Sequence, residues 1–198
     1  MTELEKGPLG QRRGRGARER ILSASEQLFR EQGIHRTGMD QLGAVAQVSK
    51  RTIYQHFRGK DEIVAEHLRR FDPDLIPGVF DCDDLTPRER LLAAFDMPAN
   101  LPLCPFLAAA VELHDPEHPA SQTAREHKIA IAERFTETAR EAGATDPEQL
   151  GEQLALLMDG ASVRTRVLSQ DSFPTAKAIA ATLVDHAIPE TPKGSEVR

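Results

Sequence analysis

Hydrophobic positions recur at helical spacing along almost the whole chain. Over Ala17 to Gln32 the apolar residues Ile21, Leu22, Ala24, Leu28 and Phe29 fall on one face, and Gly33 follows them as a stop signal. Thr37 with Asp40 has the form of a capping box, which predicts a short second helix with Met39, Leu42, Val45 and Ala46 turned inward and an end near Gln47. Ser49 is the expected N-cap of a short third helix. Its Ile53 and Phe57 point to the same core and leave Lys50, Arg51, Thr52, Gln55 and His56 largely outside. After Gly59, Asp61 and Glu62 suit a first helical turn, and Ile63, Val64, Leu68 and Phe71 carry a fourth helix toward Pro73.

Beyond a loop over Asp72 to Asp84, Thr86 and Glu89 again resemble a capping box, with Pro87 at the first helical position and Leu91, Leu92 and Phe95 following. Pro98 and Pro102 break this helix. Pro105 starts another apolar one (Phe106, Leu107, Ala110, Val111), which ends at His114-Asp115-Pro116. A long amphipathic helix is expected over Glu117 to Ala142 with Gly143 as its stop, and Asp146-Pro147 reopen the chain into a helix running to about Ser169. Phe173-Pro174 precede a last helix through Ala187. With no alternating strand pattern and no internal repeat, the expected class is all-α, with about nine helices.

Composition narrows the function classes. No apolar run in the 198 residues approaches the roughly 20 that a membrane span needs. The stretch Met1 to Arg20 is polar and basic without an apolar stretch, so the expected location is cytoplasmic, with no membrane partner. Cys82 and Cys104 form neither a disulfide framework nor a Cys-x-x-Cys pair, so no structural metal is expected. Charge is segregated. Residues 1–60 hold 12 Lys and Arg against 6 Asp and Glu, whereas residues 61–198 hold 13 against 25. A basic end on an acidic body suits a chain that presents one end to a polyanion.

Arg18 to Lys60 therefore reads as a supporting helix followed by a helix-turn-helix, bent at Gln47-Val48. A third helix exposing Lys50, Arg51, Thr52 and Gln55 can enter the DNA major groove, where Lys and Arg donate to guanine O6 and N7. Thr37, Tyr54, His56 and Lys60 lie at its margins or at helix starts, where donors reach phosphates. Residues 1–16, rich in Gly and Arg, are expected to form a mobile arm whose Arg12, Arg13 and Arg15 can reach an adjacent minor groove.

Residues Arg20-Ile21-Leu22-Ser23-Ala24, Leu28-Phe29, Gly33, Met39-Asp40-Gln41-Leu42 and above all Val48 to Phe57 followed by Lys60 closely resemble the tetracycline-repressor-like (TetR) family of bacterial transcription regulators. The resemblance implies DNA contacts at Thr37, Lys50, Arg51, Thr52, Tyr54, Gln55, His56 and Lys60, and core positions at Ile53 and Phe57. It divides the chain into an arm at 1–16, a helix-turn-helix DNA-binding domain at 17–60, a ligand-binding and dimerisation domain at 61–188 and a frayed tail at 189–198. Gln47 stands where the family usually has glycine, so a residue with a Cβ is expected at φ > 0, at about 1 kcal/mol or more. Gly38 replaces a hydroxyl residue of the family pattern and removes one phosphate contact there; Gly43, where alanine is commoner, permits close approach of the second and third helices.

Similarity to the family also implies a homodimer, a double-stranded operator and a small-molecule effector, and it favours a repressor. The penultimate helix carries two apolar stripes, one of Leu154, Met158, Ala161 and Thr165 and one of Leu156, Gly160, Val163 and Val167. The second stripe, with Ile179 and Leu183, is the candidate dimer face. Candidate pocket residues are Phe71, Phe95, Phe106, Leu107, His127, Ile131, Phe135 and Met158, with Glu112 or His127 as polar anchors. The competing classes are weaker. Pro116 and Pro119 disrupt the helical spacing that His114, Asp115, Glu117 and His118 would need as metal ligands. Cys104 has no adjacent base for a thiol sensor, and no catalytic constellation or cofactor motif stands out. A helical protein-interaction module would share the basic patch without requiring Arg51 and Thr52 outside while Ile53 points in.

Overall fold

The structure, a computed structural model, describes residues 9–71, 76, 78–98 and 103–189, with side chains from residue 16 onward. Among the described residues it is built from nine helices and no strand: α1 (Leu9–Gln32), α2 (Met39–Ala46), α3 (Lys50–His56), α4 (Lys60–Arg69), α5 (Pro87–Ala93), α6 (Pro105–Glu112), α7 (Pro119–Glu141), α8 (Pro147–Leu168) and α9 (Phe173–Ala187). None of these is long and apolar enough to cross a membrane. The described residues of Met1–Pro73 and Pro105–Arg125 form one compact unit, and those of Asp74–Cys104 and Glu126–Arg198 a second. Packing thus places α4 and α6 with the helix-turn-helix, whereas the division by role was drawn after Lys60.

In the first unit α1 packs against α2, α3 and α4. Its Ile21, Leu22, Leu28 and Phe29 meet Leu42, Ala46, Ile53, Phe57, Ile63 and Leu68, all buried. Several local expectations are corrected. Helix α1 begins at Leu9, so the expected arm is helical from that residue; the minor-groove role expected of Arg12, Arg13 and Arg15 concerns side chains outside the described ones. Gly38, not Thr37, is the N-cap of α2, without a side-chain cap. The Thr37 hydroxyl instead donates to the Gly33 carbonyl at 2.8 Å, satisfying the end of α1 rather than the start of α2. Val45 and Phe71, expected inward, are 41% and 39% exposed: Val45 lies beside the buried stripe of Leu42 and Ala46 on α2, and Phe71 lies beyond the end of α4, in the turn that follows it.

The bend after α2 follows the sequence. Gln47 takes φ 54°, ψ 46°, its N–H reaches Ala44 O at 3.3 Å, and Val48 N–H reaches Gly43 O at 2.9 Å. That pair of bonds closes a helix through a left-handed residue, a place usually held by glycine. Ser49 then caps α3, its Oγ accepting from Thr52 N–H at 3.1 Å.

In the second unit α9 packs on α5 and α8. Phe135 of α7 is central, with Phe80 edge-on at 5.1 Å and Phe95 stacked at 6.1 Å. Thr86 and Glu89 form the expected capping box of α5, and Asp146 caps α8 by accepting from Gln149 N–H at 2.9 Å. Gly151 lets α8 lie close against α7: a Cβ there would lie 2.8 Å from Thr136 N.

Candidate nucleic-acid interface

Ile53 is fully buried and Phe57 nearly so, while Lys50, Arg51, Tyr54 and Gln55 are exposed and Thr52 and His56 are half-buried. One turn of apolar anchoring therefore fixes which face α3 shows. Arg51, Tyr54 and Gln55 make no side-chain hydrogen bond or ion pair among the described residues, so their polar groups are unspent. Lys50 is tied: its Nζ lies 2.9 Å from Asp40 Oδ1, and hydrogen bonding to that carboxylate raises the ammonium above its ordinary value. Thr52 is tied too, its hydroxyl 2.8 Å from Ser49 Oγ. Thr37 is buried. Lys60, at the start of α4, donates to His35 O at 3.4 Å; burial pushes its ammonium below the ordinary value against the opposing pull of Glu112 and Asp61.

Three supporting roles escaped sequence reasoning because they depend on partners elsewhere in the chain. Arg20 Nε donates to Ala46 O at 3.0 Å, capping the last carbonyl of α2. Arg18 lies over the Phe57 ring at 5.3 Å and pairs with Glu66. Asp40 restrains Lys50. No spacing in the sequence signals the first two.

The candidate pocket residues are placed as follows. Phe95, Ile131, Phe135 and Met158 belong to the buried core of the second unit, where His127 is also buried. Phe106 is buried and Leu107 half-buried in the first unit, where Glu112 faces the turn after α1. On α8 the two stripes separate: Leu154, Met158 and Ala161 are buried, whereas Leu156 is 75% and Val167 73% exposed, with Val163 and Gly160 also exposed. Ile179 of α9 is exposed, and Leu183 packs partly against the core. Among the described residues no group of His, Cys, Asp and Glu is placed to hold a metal.

An all-helical chain whose bent helix pair is braced by a third and shows a cationic face is a helix-turn-helix protein. Residues 21–67 match the family model for bacterial regulatory proteins of the tetR family. A solved structure described as a TetR transcriptional regulator, from Streptomyces avermitilis, is 35% identical, with a TM-score of 0.76 over 86% of this chain and 97% of that one. A TetR-family transcriptional regulator from Streptomyces coelicolor is 25% identical with a TM-score of 0.75, over 88% and 95% of the two chains. The HTH-type transcriptional activator FasR of Mycolicibacterium smegmatis is 37% identical over 91 residues, which are 45% of this chain and 39% of that protein. The match thus spans well under half of that curated relative. The chain belongs to the tetR family of bacterial regulatory proteins, a family of regulators rather than enzymes.

Proposed function

We propose that the chain is a homodimeric transcription regulator that reads a double-stranded operator through α3 and is released from it by a small molecule. The observation that carries the reading is the division of α3 into a buried face of Ile53 with Phe57 and an outer face where Arg51, Tyr54 and Gln55 are unspent. Arg51 and Gln55 read base edges, while Lys60, Tyr54 and His56 hold phosphates. Lys50 exchanges Asp40 for DNA. Dimerisation uses the exposed stripe of Leu156, Val163 and Val167 with Ile179, which a second copy would cover. The effector is assigned to the C-terminal helices, and repression to occupancy of a promoter.

Selection of duplexes from a random-sequence pool by the purified chain tests this. Arg51→Ala is expected to relax base discrimination. Lys60→Ala should weaken all duplexes alike and reduce the salt slope of log K by about 1. Retention of selective binding by Arg51→Ala defeats the assignment. The Mycolicibacterium relative is described as an activator, which supports activation as the second reading, and a reporter placed under the selected duplex separates the two signs.

A further inference from the structure

Glu112 is the last residue of α6, where the aligned peptide dipoles disfavour a negative charge. Its surroundings offset that cost. The carboxylate accepts the His35 N–H at 2.9 Å, across 77 positions of sequence. Both of its oxygens lie 3.0 Å from where a Cβ on Gly33 would stand, and Gly33 itself has φ +88°. The Glu112 carbonyl accepts from His35 Nε2 and from His114 Nδ1, the latter at 3.0 Å. Lys60 contributes its field and donates to His35 O.

The gripped segment is the turn that sets the pitch of the helix-turn-helix. Gln32, at the end of α1, donates through Nε2 to Gln41 Oε1 on α2 at 2.7 Å and lies 3.2 Å from the Thr37 hydroxyl. Whatever fixes His35 therefore fixes α2, and α2 carries α3 through the closed bend at Gln47. We propose that Glu112 is a positioning residue for DNA recognition: it locks the turn after α1, and through it the angle at which α3 is presented, without itself touching DNA. This rests on the DNA-binding function proposed above. It also gives Gly33 a second reason to be glycine, because any side chain there would displace the carboxylate.

The test uses the full chain, a duplex selected from the random pool, and three variants. Glu112→Ala removes the acceptor and the charge, Glu112→Asp keeps the charge but loses the reach, and Glu112→Gln keeps the acceptor at full reach without the charge. Ala and Asp are expected to bind the selected duplex about tenfold more weakly with an unchanged salt slope, and Gln to stay within about threefold of the wild type. Amide exchange at His35 in the free chain should quicken in Ala and Asp alone, which reads the lock directly. Wild-type affinity in Ala and Asp, a loss shared equally by Gln, or a changed salt slope would each overturn the assignment. A wild-type chain that selects no duplex defeats the DNA reading and this role with it. Loss of selectivity in Arg51→Ala beside unchanged binding in Glu112→Ala and Glu112→Asp defeats this role alone.

Discussion

Acid should destabilise the first unit through one buried ring. His67 of α4 is 4% exposed, its imidazole edge-on to Phe29 at 5.3 Å and to Phe71 at 5.1 Å, and its Nδ1 has no hydrogen-bond partner among the described residues. Desolvation first, and the Arg70 charge second, push its pKa from 6.5 to about 4. Above pH 7 the ring is neutral in folded and unfolded chains alike, and the contribution to stability is complete. As pH falls below 6.5 the unfolded chain takes up a proton that the native site refuses, so stability is lost between 6.5 and about 4 and levels off below. That displacement corresponds to about 3 kcal/mol, of which about 2 kcal/mol is gone by pH 5. Urea titrations at pH 7.5 and 5.0 measure it. Tyr54 is the single tyrosine in a chain without tryptophan, so its fluorescence reports this unit. His67→Leu should abolish about 2 kcal/mol of the difference between the two pH values, whatever it does to stability at pH 7.5. An equal acid loss in the variant would refute the reasoning.

Gln47→Gly should raise thermal stability by about 1 kcal/mol, because glycine occupies the left-handed conformation without the Cβ penalty; an unchanged or lower melting temperature counts against strain at that bend. Gly151→Ala should lower stability by about 1–3 kcal/mol in calorimetry, since the new methyl meets Thr136 backbone and α7 and α8 must separate. If the proposed dimer forms through this stripe, Leu156→Glu with Val167→Glu should leave a monomer in light scattering and weaken duplex binding while keeping helicity intact; a dimer surviving both substitutions places the interface elsewhere.

The all-α class and nearly every helix boundary were legible because caps, stops and apolar periodicity are local. Ser49, Thr86, Asp146 and Gly143 act within four residues of where they stand; the turn at Gln47-Val48 was legible in the same way, and its left-handed residue was expected from the resemblance, which places a glycine there. Thr37 misled the expectation because a hydroxyl three residues before an acid can bond backward as well as forward, and the open Gly33 carbonyl lay within reach. Val45 was misplaced because a helix of two turns buries only its tightest stripe.

The outward direction of Arg51 and Gln55 was determined by sequence alone, because both fall opposite two apolar residues four apart; Lys50 lies three before Ile53 on the anchored side and is exposed as the first residue of α3, paired with Asp40. The two stripes of α8 were plain as stripes and the inner one was expected to be that of Leu154, Met158 and Ala161, yet that Leu183 of α9 joins this core while Ile179 stays outside was decided only by the packing of α9 on α8. The same holds for Glu112, legible as a polar residue on an apolar helix and revealed as the grip on His35 only once α6 met the turn after α1. Periodicity fixes what a segment offers; which offer is taken depends on partners far along the chain, and chain closure over that distance leaves no mark on local spacing.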